Sequence, residues 1–241
     1  MLKKIRGLAR RVRSAHVRNS LSTRAQKVRD DRLTYLTPEK LYRIEWYLDK
    51  TIPRVPGDVI ELGVYLGGAG IVMAAVAERE GRKFHGFDVF TMIPEPSSEN
   101  DDDFSKEAYR KITTGNFGGI GDDPYYGHEP DFTGRVKANF ARHGVPIDGD
   151  KRTLHKGLFE ETLPNYSSPV AFAHIDCDWY DPVKLCLEEI SKRLSPGGVM
   201  ILDDYHAWAG ARRATDEFLA RNRGRYRFID GENVVLLKAA S

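Results

Sequence analysis

Two short stretches place four carboxylates just past apolar runs: His174-Ile175-Asp176-Cys177-Asp178-Trp179-Tyr180 and Leu202-Asp203-Asp204-Tyr205-His206. If each run is a strand and the two strands are parallel neighbours, about 4.8 Å separates them and the acids at their C-terminal ends converge. Carboxylates that close repel one another unless a cation sits among them. Oxygen-only donors favour a hard ion, Mg²⁺ first, with Mn²⁺ or Ca²⁺ as alternatives. Strand alternation turns Cys177 away from the acids, which argues against zinc. A cation at such a place lowers the pKa of a substrate hydroxyl and orients its oxygen. Asp178 or a nearby histidine then serves as general base, and His206, directly after the acid pair, is the histidine best placed for it. Helix N-capping is the competing explanation. It accounts for one acid per strand end but not for all four.

A second constellation lies earlier. The run Asp58 to Leu62 ends in Glu61-Leu62 and is followed by Gly63-Val64-Tyr65-Leu66-Gly67-Gly68. Glycines in a strand-to-helix turn let the main chain approach a ligand closely. The spacing is not the G-x-G-x-x-G of dinucleotide sites. A glutamate just before the first glycine suits an amine-bearing cationic ligand such as S-adenosylmethionine (SAM), because a carboxylate accepts from an ammonium. Asp88, at the end of the next strand, is placed to accept from ribose hydroxyls. The candidate cofactor residues are Glu61, Gly63, Tyr65, Gly67, Gly68 and Asp88, with Gly157, Phe159 and Asp176 added at the later strand ends. His85, inside a strand, reads as core or edge, and His174 as a structural hydrogen-bond partner.

The elements that must position these residues follow from periodicity and punctuation. Thr37-Pro38-Glu39 reads as a helix start, with Leu41, Ile44, Leu48 and Ile52 as its apolar stripe. Strands are expected at 58–62, 83–88, 151–156, 172–176 and 199–202, the last preceded by a Pro196-Gly197-Gly198 turn. Helices are expected at 69–80, 181–194 and 211–222. The chain closes with strands at 225–229 and 234–238 around Asp230-Gly231-Glu232-Asn233. This alternation predicts an α/β fold: a doubly wound, mostly parallel sheet with a C-terminal antiparallel hairpin. Ligands in such sheets bind beyond the C-terminal strand ends, where Glu61, Asp88, Asp176 and Asp203 fall. Between about 90 and 140 the alternation breaks. Glu99-Asn100-Asp101-Asp102-Asp103, Asn116-Phe117-Gly118-Gly119 and Tyr125-Tyr126-Gly127-His128 mark an insertion with one helix at 104–112, read as a lid.

The 241 residues suffice for one well-packed α/β domain. Hydrophobic residues make up 41% and charged residues 30%, an ordinary globular balance, and a net charge of +2 argues against nucleic acid as partner. Two cysteines imply no disulfide framework, and the absence of a long apolar run or a cleavable leader pattern leads to the expectation of a cytoplasmic protein. Residues 1–36 read as a basic N-terminal extension of a domain at 37–241. Leu2, Ile5, Leu8 and Val12 recur at helical spacing among Lys3, Lys4, Arg6, Arg10, Arg11 and Arg13. A basic amphipathic helix of that kind either has a solvated or partner-docked face or rests peripherally on an anionic membrane surface through residues 1–32.

Pro56-Gly57-Asp58-Val59-Ile60-Glu61-Leu62-Gly63-Val64-Tyr65-Leu66-Gly67-Gly68, Gly86-Phe87-Asp88, His174 to Tyr180, and Pro196-Gly197-Gly198 through Tyr205 together resemble the macrocin O-methyltransferase family over roughly 37–222. The resemblance implies a class I, Rossmann-like methyltransferase fold, SAM as donor, and Mg²⁺ held by Asp176, Asp203 and Asp204. It further implies Asp178 as base, a sugar hydroxyl on a natural product, glycolipid or polysaccharide as acceptor, a lid from the insertion, and homo-oligomers. A phenolic or catechol-like acceptor is the alternative. The Val-Tyr-Leu turn before Gly67-Gly68 departs from the Trp or Phe and Arg expected there, and residues 116–130 match nothing in the family pattern.

Overall fold

The computed structural model describes residues 17, 20–116, 127, 129 and 132–240. Among these, seven strands form one sheet: β1 (Asp58–Leu62), β2 (Phe84–Asp88), β3 (Arg152–Lys156), β4 (Val170–Ile175), β5 (Leu194–Leu202), β6 (Tyr226–Ile229) and β7 (Val234–Lys238). Their spatial order is β3-β2-β1-β4-β5-β7-β6. The first five are parallel, and β7 runs antiparallel to both β5 and β6. The doubly wound sheet with a reversed edge is therefore present. β4 is buried at every position, as a central parallel strand covered on both faces must be.

Two hydrophobic clusters flank the sheet. Helix α1 (Thr23–Asp30) is capped by Ser22, whose side chain accepts from the Ala25 N–H, and it buries Ala25 and Val28. Helix α2 (Pro38–Thr51) begins as expected, with Thr37 accepting from the Lys40 N–H and Pro38 in its first turn. Helix α3 (Gly68–Arg79) is apolar on nearly all sides and almost wholly buried, which fixes the Gly-rich turn that feeds it. The opposite face carries α7 (Tyr180–Arg193) and α8 (Ala209–Arg221), defined below with the site.

The insertion holds α4 (Asp103–Thr113), as expected, and also α5 (Phe132–Arg142). Phe132, Val136 and Phe140 of α5 are buried, and the Phe140 ring lies 5.7 Å from that of Phe84. The α5 end of this segment thus belongs to the core. A one-turn helix α6 (Phe159–Thr162) follows β3. One boundary differs from expectation: Pro196-Gly197-Gly198 does not precede the fifth strand but bulges within it. Leu194 pairs with Val170 and Val199 with Phe172, so the extra residues loop out, aided by Gly197 at φ +77°. The amphipathic pattern at Leu2 to Val12, and most of the Gly- and Tyr-rich stretch at 116–130, lie outside the described residues. No helix among the described residues is long and apolar enough to cross a membrane.

Candidate active site

The sheet brings the two acidic stretches together. Ile175 pairs with Leu202 at the ends of β4 and β5. The next residues are stitched in place by the backbone: Asp176 N–H donates to the Leu62 carbonyl at 2.8 Å and Asp203 N–H to that of Ile175 at 3.0 Å. Carboxylate oxygens of Asp176, Asp203 and Asp204 lie within 4.8 Å of one another. Asp178 joins them through its N–H, which donates to Asp204 Oδ2 at 2.9 Å. Its backbone is held at φ +61°, a left-handed conformation that costs a non-glycine residue free energy and recurs at functional sites.

None of the four acids caps a helix through its side chain. The N-caps of α7 and α8 are Trp179 and Trp208, neither with a side-chain cap bond. The N–H of Tyr180 is satisfied instead by Asp101 Oδ1 of the insertion, at 2.9 Å. With capping set aside, the electrostatic state of the cluster is informative. Burial and the neighbouring charges of Asp203 and Asp204 raise the Asp176 carboxyl well above its usual range. Burial and Asp204 do the same to Asp178. Burial and Asp203 push Asp204 up to about 6. Burial also opposes ionisation of Asp203, but His174 and Lys40 outweigh it and hold that carboxyl below its ordinary value.

Lys40 and His174 supply the positive charge. Lys40 reaches from α2 to Asp203, its Nζ 2.5 Å from Oδ2. His174, fully buried, stands between Glu61 and Asp203, with Nδ1 3.7 Å from Glu61 Oε1 and Nε2 3.9 Å from Asp203 Oδ1. Burial alone would lower the His174 pKa. Its two acidic partners reverse that and carry it up to about 10. Glu61, also buried, is pushed up to about 7 by desolvation that His174 only partly offsets. Both imidazole nitrogens, Glu61 Oε2 and Asp203 Oδ1 have no hydrogen-bond partner. Buried polar atoms in that condition are costly and call for an explanation such as a bound ion or ligand. An all-oxygen donor set with an orphaned carboxylate oxygen and mutually raised acids fits a hard divalent cation.

The Gly-rich turn closes on the same spot. A Cβ on Gly63, at φ +91°, would fall 1.8 Å from the Asp176 carbonyl oxygen, so only glycine lets the two strand tips touch. A Cβ on Gly70 would meet Glu61 Oε2 at 2.3 Å. Gly67 and Gly68 admit protein rather than open space: the Phe140 ring and the Leu33 carbonyl lie 2.5 Å from their would-be Cβ atoms. Asp88 braces the turn. Its Oδ2 accepts from the N–H groups of Val64 (2.7 Å) and Tyr65 (3.1 Å), and its Oδ1 from that of Phe90 (2.8 Å). The carboxylate expected to serve a ribose is largely engaged with the main chain.

Two cavities meet over these residues and share Gly63, Asp88, Asp176, Asp178 and Trp179. One, of about 340 Å³, runs along Val89, Leu158, Phe159, Pro182 and Leu185. The other, of about 480 Å³, is lined by Tyr35, Lys40, Glu61, Tyr65, Asp203 and Trp208 among others. Gly157, at φ +142°, donates its N–H to the Asp88 carbonyl at 3.0 Å, and Phe159, two residues on, lines the smaller cavity. His206 is not brought to the acids. It is exposed, and its Nε2 lies 2.9 Å from Asp230 Oδ1 of the terminal hairpin, which removes the geometric basis for its role as base. Cys177 and Cys186 are buried free thiols in contact, outside the acid cluster.

Lys40, Asp101 and Trp208 were not singled out by the sequence. Trp208 lines the larger cavity together with Asp178, and it favours the charged form of that carboxyl against burial. A tryptophan in a polar loop after Asp203-Asp204 was the available signal for it. Lys40 stands 163 residues from Asp203 and left none.

A family model described as macrocin-O-methyltransferase matches residues 33–230. An 8-demethyl-8-(2,3-dimethoxy-alpha-L-rhamnosyl)-tetracenomycin-C 4'-O-methyltransferase of Streptomyces olivaceus is 34% identical over 73% of this chain and 61% of its own length. A mycinamicin III 3''-O-methyltransferase of Micromonospora griseorubida is 31% identical over 70% and 62%. The matches thus span about three fifths of these relatives. The solved structure of the O-methyltransferase NovP superposes with a TM-score of 0.71 at 24% identity, covering 86% of this chain and 82% of that one.

Proposed function

We propose, from the premise that this chain belongs to the macrocin-O-methyltransferase family, that it transfers the methyl group of SAM to a sugar hydroxyl of a glycosylated natural product. The observation that carries the reading is the meeting of Asp176, Asp203 and Asp204 within 4.8 Å, unused as caps, beside the Gly63 turn. Asp176, Asp203 and Asp204 would hold a divalent cation, Mg²⁺ by preference, whose chemistry is Lewis acidity toward the acceptor hydroxyl.

The chain's own groups divide the remaining work. Glu61 at the floor of the larger cavity, deprotonated, attracts the donor's ammonium. Gly63 keeps the turn within reach of the β4 tip, so donor and acceptor share one space. The cavity along Phe159, Pro182 and Leu185 offers the apolar walls that an adenine ring needs. Asp178 takes the hydroxyl proton, with a carboxyl already raised by burial and Asp204 and a backbone N–H anchored to Asp204. Methyl transfer is an in-line displacement, so the fixed placement of these groups contributes much of the rate.

The test is methylation of an α-L-rhamnoside and of a catechol, followed by mass spectrometry with Mg²⁺ and with excess EDTA. Mass gain on the sugar that EDTA abolishes supports the reading. Mass gain on the catechol alone moves the acceptor to the phenolic class. Undiminished transfer in EDTA removes the metal.

A further inference from the structure

Beyond the reacting centre, aromatic rings form a path from the buried acids to solvent. Trp179 packs edge-on against Trp208, with ring centroids 5.1 Å apart, and anchors itself by donating its indole N–H to the Pro94 carbonyl at 2.9 Å. Trp208 lies beside Asp178, forms part of the wall of the larger cavity, and contacts Phe104 of α4 at 5.4 Å. Phe104 is 66% exposed, the most exposed large hydrophobic side chain among the described residues.

An exposed phenylalanine is ordinary when isolated. This one is not isolated: it continues a stack whose inner end touches the group that receives the acceptor's proton. Asp102, two residues earlier, caps α4 by accepting from the Ser105 N–H and hydroxyl, which fixes the start of the helix and so the place of Phe104.

We propose that Trp208 and Phe104 form the acceptor platform: the methylated sugar ring packs on Trp208, and an apolar aglycone packs on Phe104. The order follows from geometry. The reacting hydroxyl must lie at Asp178, its ring one step outward, and the next group one step beyond that. Sugar rings present C–H faces that pack on aromatic rings, and Phe104 offers an apolar surface with no hydrogen-bonding group. The charge beside it selects further. The surface hollow beside Trp208 is lined by the acids Asp102, Asp216 and Glu217 against Arg212 and Arg213, and hydrogen bonds from Ser105 hold Asp102 below the usual carboxylate range and ionised. A nucleotide-linked sugar would bring its diphosphate against those carboxylates, whereas an uncharged aglycone meets no penalty. The platform therefore favours methylation after glycosylation over methylation of a nucleotide sugar.

The assignment rests on the sugar-acceptor reading, and the probes separate the two. Calorimetry on the full chain with S-adenosylhomocysteine and Mg²⁺ compares methyl α-L-rhamnopyranoside, p-nitrophenyl α-L-rhamnopyranoside and a thymidine-diphosphate rhamnose. The expected result is p-nitrophenyl rhamnoside binding at least tenfold tighter than either other probe. Phe104→Ala removes that advantage without changing S-adenosylhomocysteine affinity, and Phe104→Tyr keeps it. Equal affinities for the two glycosides, or an aryl preference that survives Phe104→Ala, overturn the platform while leaving the sugar reading intact. Tightest binding of the nucleotide sugar overturns the order of reactions and the platform together. Binding of none of the three removes the sugar reading and the platform with it.

Discussion

Two polar clusters occupy different parts of the sheet, and they are in opposite states. Beside the starts of β1 and β2, Tyr166 donates to Asp58 Oδ2 at 3.0 Å, His85 Nε2 lies 3.5 Å from the same oxygen, and His85 Nδ1 lies 3.1 Å from His155 Nε2. Burial works against the Asp58 carboxylate, but His85 and Tyr166 outweigh it and keep the group ionised. Burial, with help from His85, lowers His155 to about 4, so it is neutral near pH 7. One buried atom there, His85 Nε2, lacks a hydrogen-bond partner, while the lone carboxylate and the other imidazole nitrogen of His85 are engaged. At the C-terminal strand tips, four carboxylates share one space, three of them are raised by burial and by one another, and orphaned atoms remain. Polar clustering alone therefore does not identify a site. Electrostatic dissatisfaction does, because a ligand is what relieves it.

The largest expected effect tests that contrast directly. Asp203→Ala should lower kcat by about a thousandfold, the loss of a Lewis acid worth several kcal/mol, while S-adenosylhomocysteine affinity measured by calorimetry changes less than about threefold. Loss of donor binding instead would misplace the β5 tip. Next, Asp178→Asn should reduce kcat about a hundredfold or more with KM for the acceptor little changed, as removal of a general base does. Glu61→Gln should weaken donor binding about tenfold to a hundredfold through one lost charge-assisted hydrogen bond. Because Glu61 ionises near 7, wild-type donor affinity should rise from pH 6 to pH 8, and the glutamine variant should bind with no such slope. A variant that keeps the slope would relocate the ammonium site.

The smallest effect on turnover is expected at the cluster around Asp58. His155→Gln should leave kcat within about twofold. The sign of its stability effect follows from linkage: the unfolded imidazole takes a proton near 6.5, the folded one only near 4, so stability falls as pH drops through that interval. Thermal melts should show wild-type Tm declining from pH 6.5 to pH 4 and the variant declining less. A large loss of turnover in this variant would dissolve the contrast between the two regions.

Much of the molecule was legible because its signals are local. β1, the Gly63 turn, β2 and the acidic ends of β4 and β5 each carry their pattern within a dozen residues, and parallel pairing then fixes which tips are neighbours. What escaped depends on distant partners. The Lys40 ammonium finds Asp203 only after α2 docks, and Asp101 caps α7 from 79 residues away. Helix α5 had a readable stripe in Phe132, Val136 and Phe140, but the glycines and tyrosines before it made the whole stretch read as loop. The early start of β5 was hidden by Pro196-Gly197-Gly198, whose turn chemistry is spent on a bulge. His206 was misplaced because sequence adjacency to Asp204 says nothing about the direction of a loop that turns toward Asp230.

The Leu33 carbonyl accepts the N–H of Gly68 at 3.0 Å, and Leu21, Ala25, Val28, Leu33 and Leu36 are buried in the same cluster as α3. The donor pocket is thus clasped by chain that precedes its first strand. Anyone trimming the protein for expression at the conventional-looking start near Thr37 would cut this clasp and free the Gly-rich turn. A cut ahead of Leu21 would keep it, which makes the choice of cloning boundary a choice about the cofactor site.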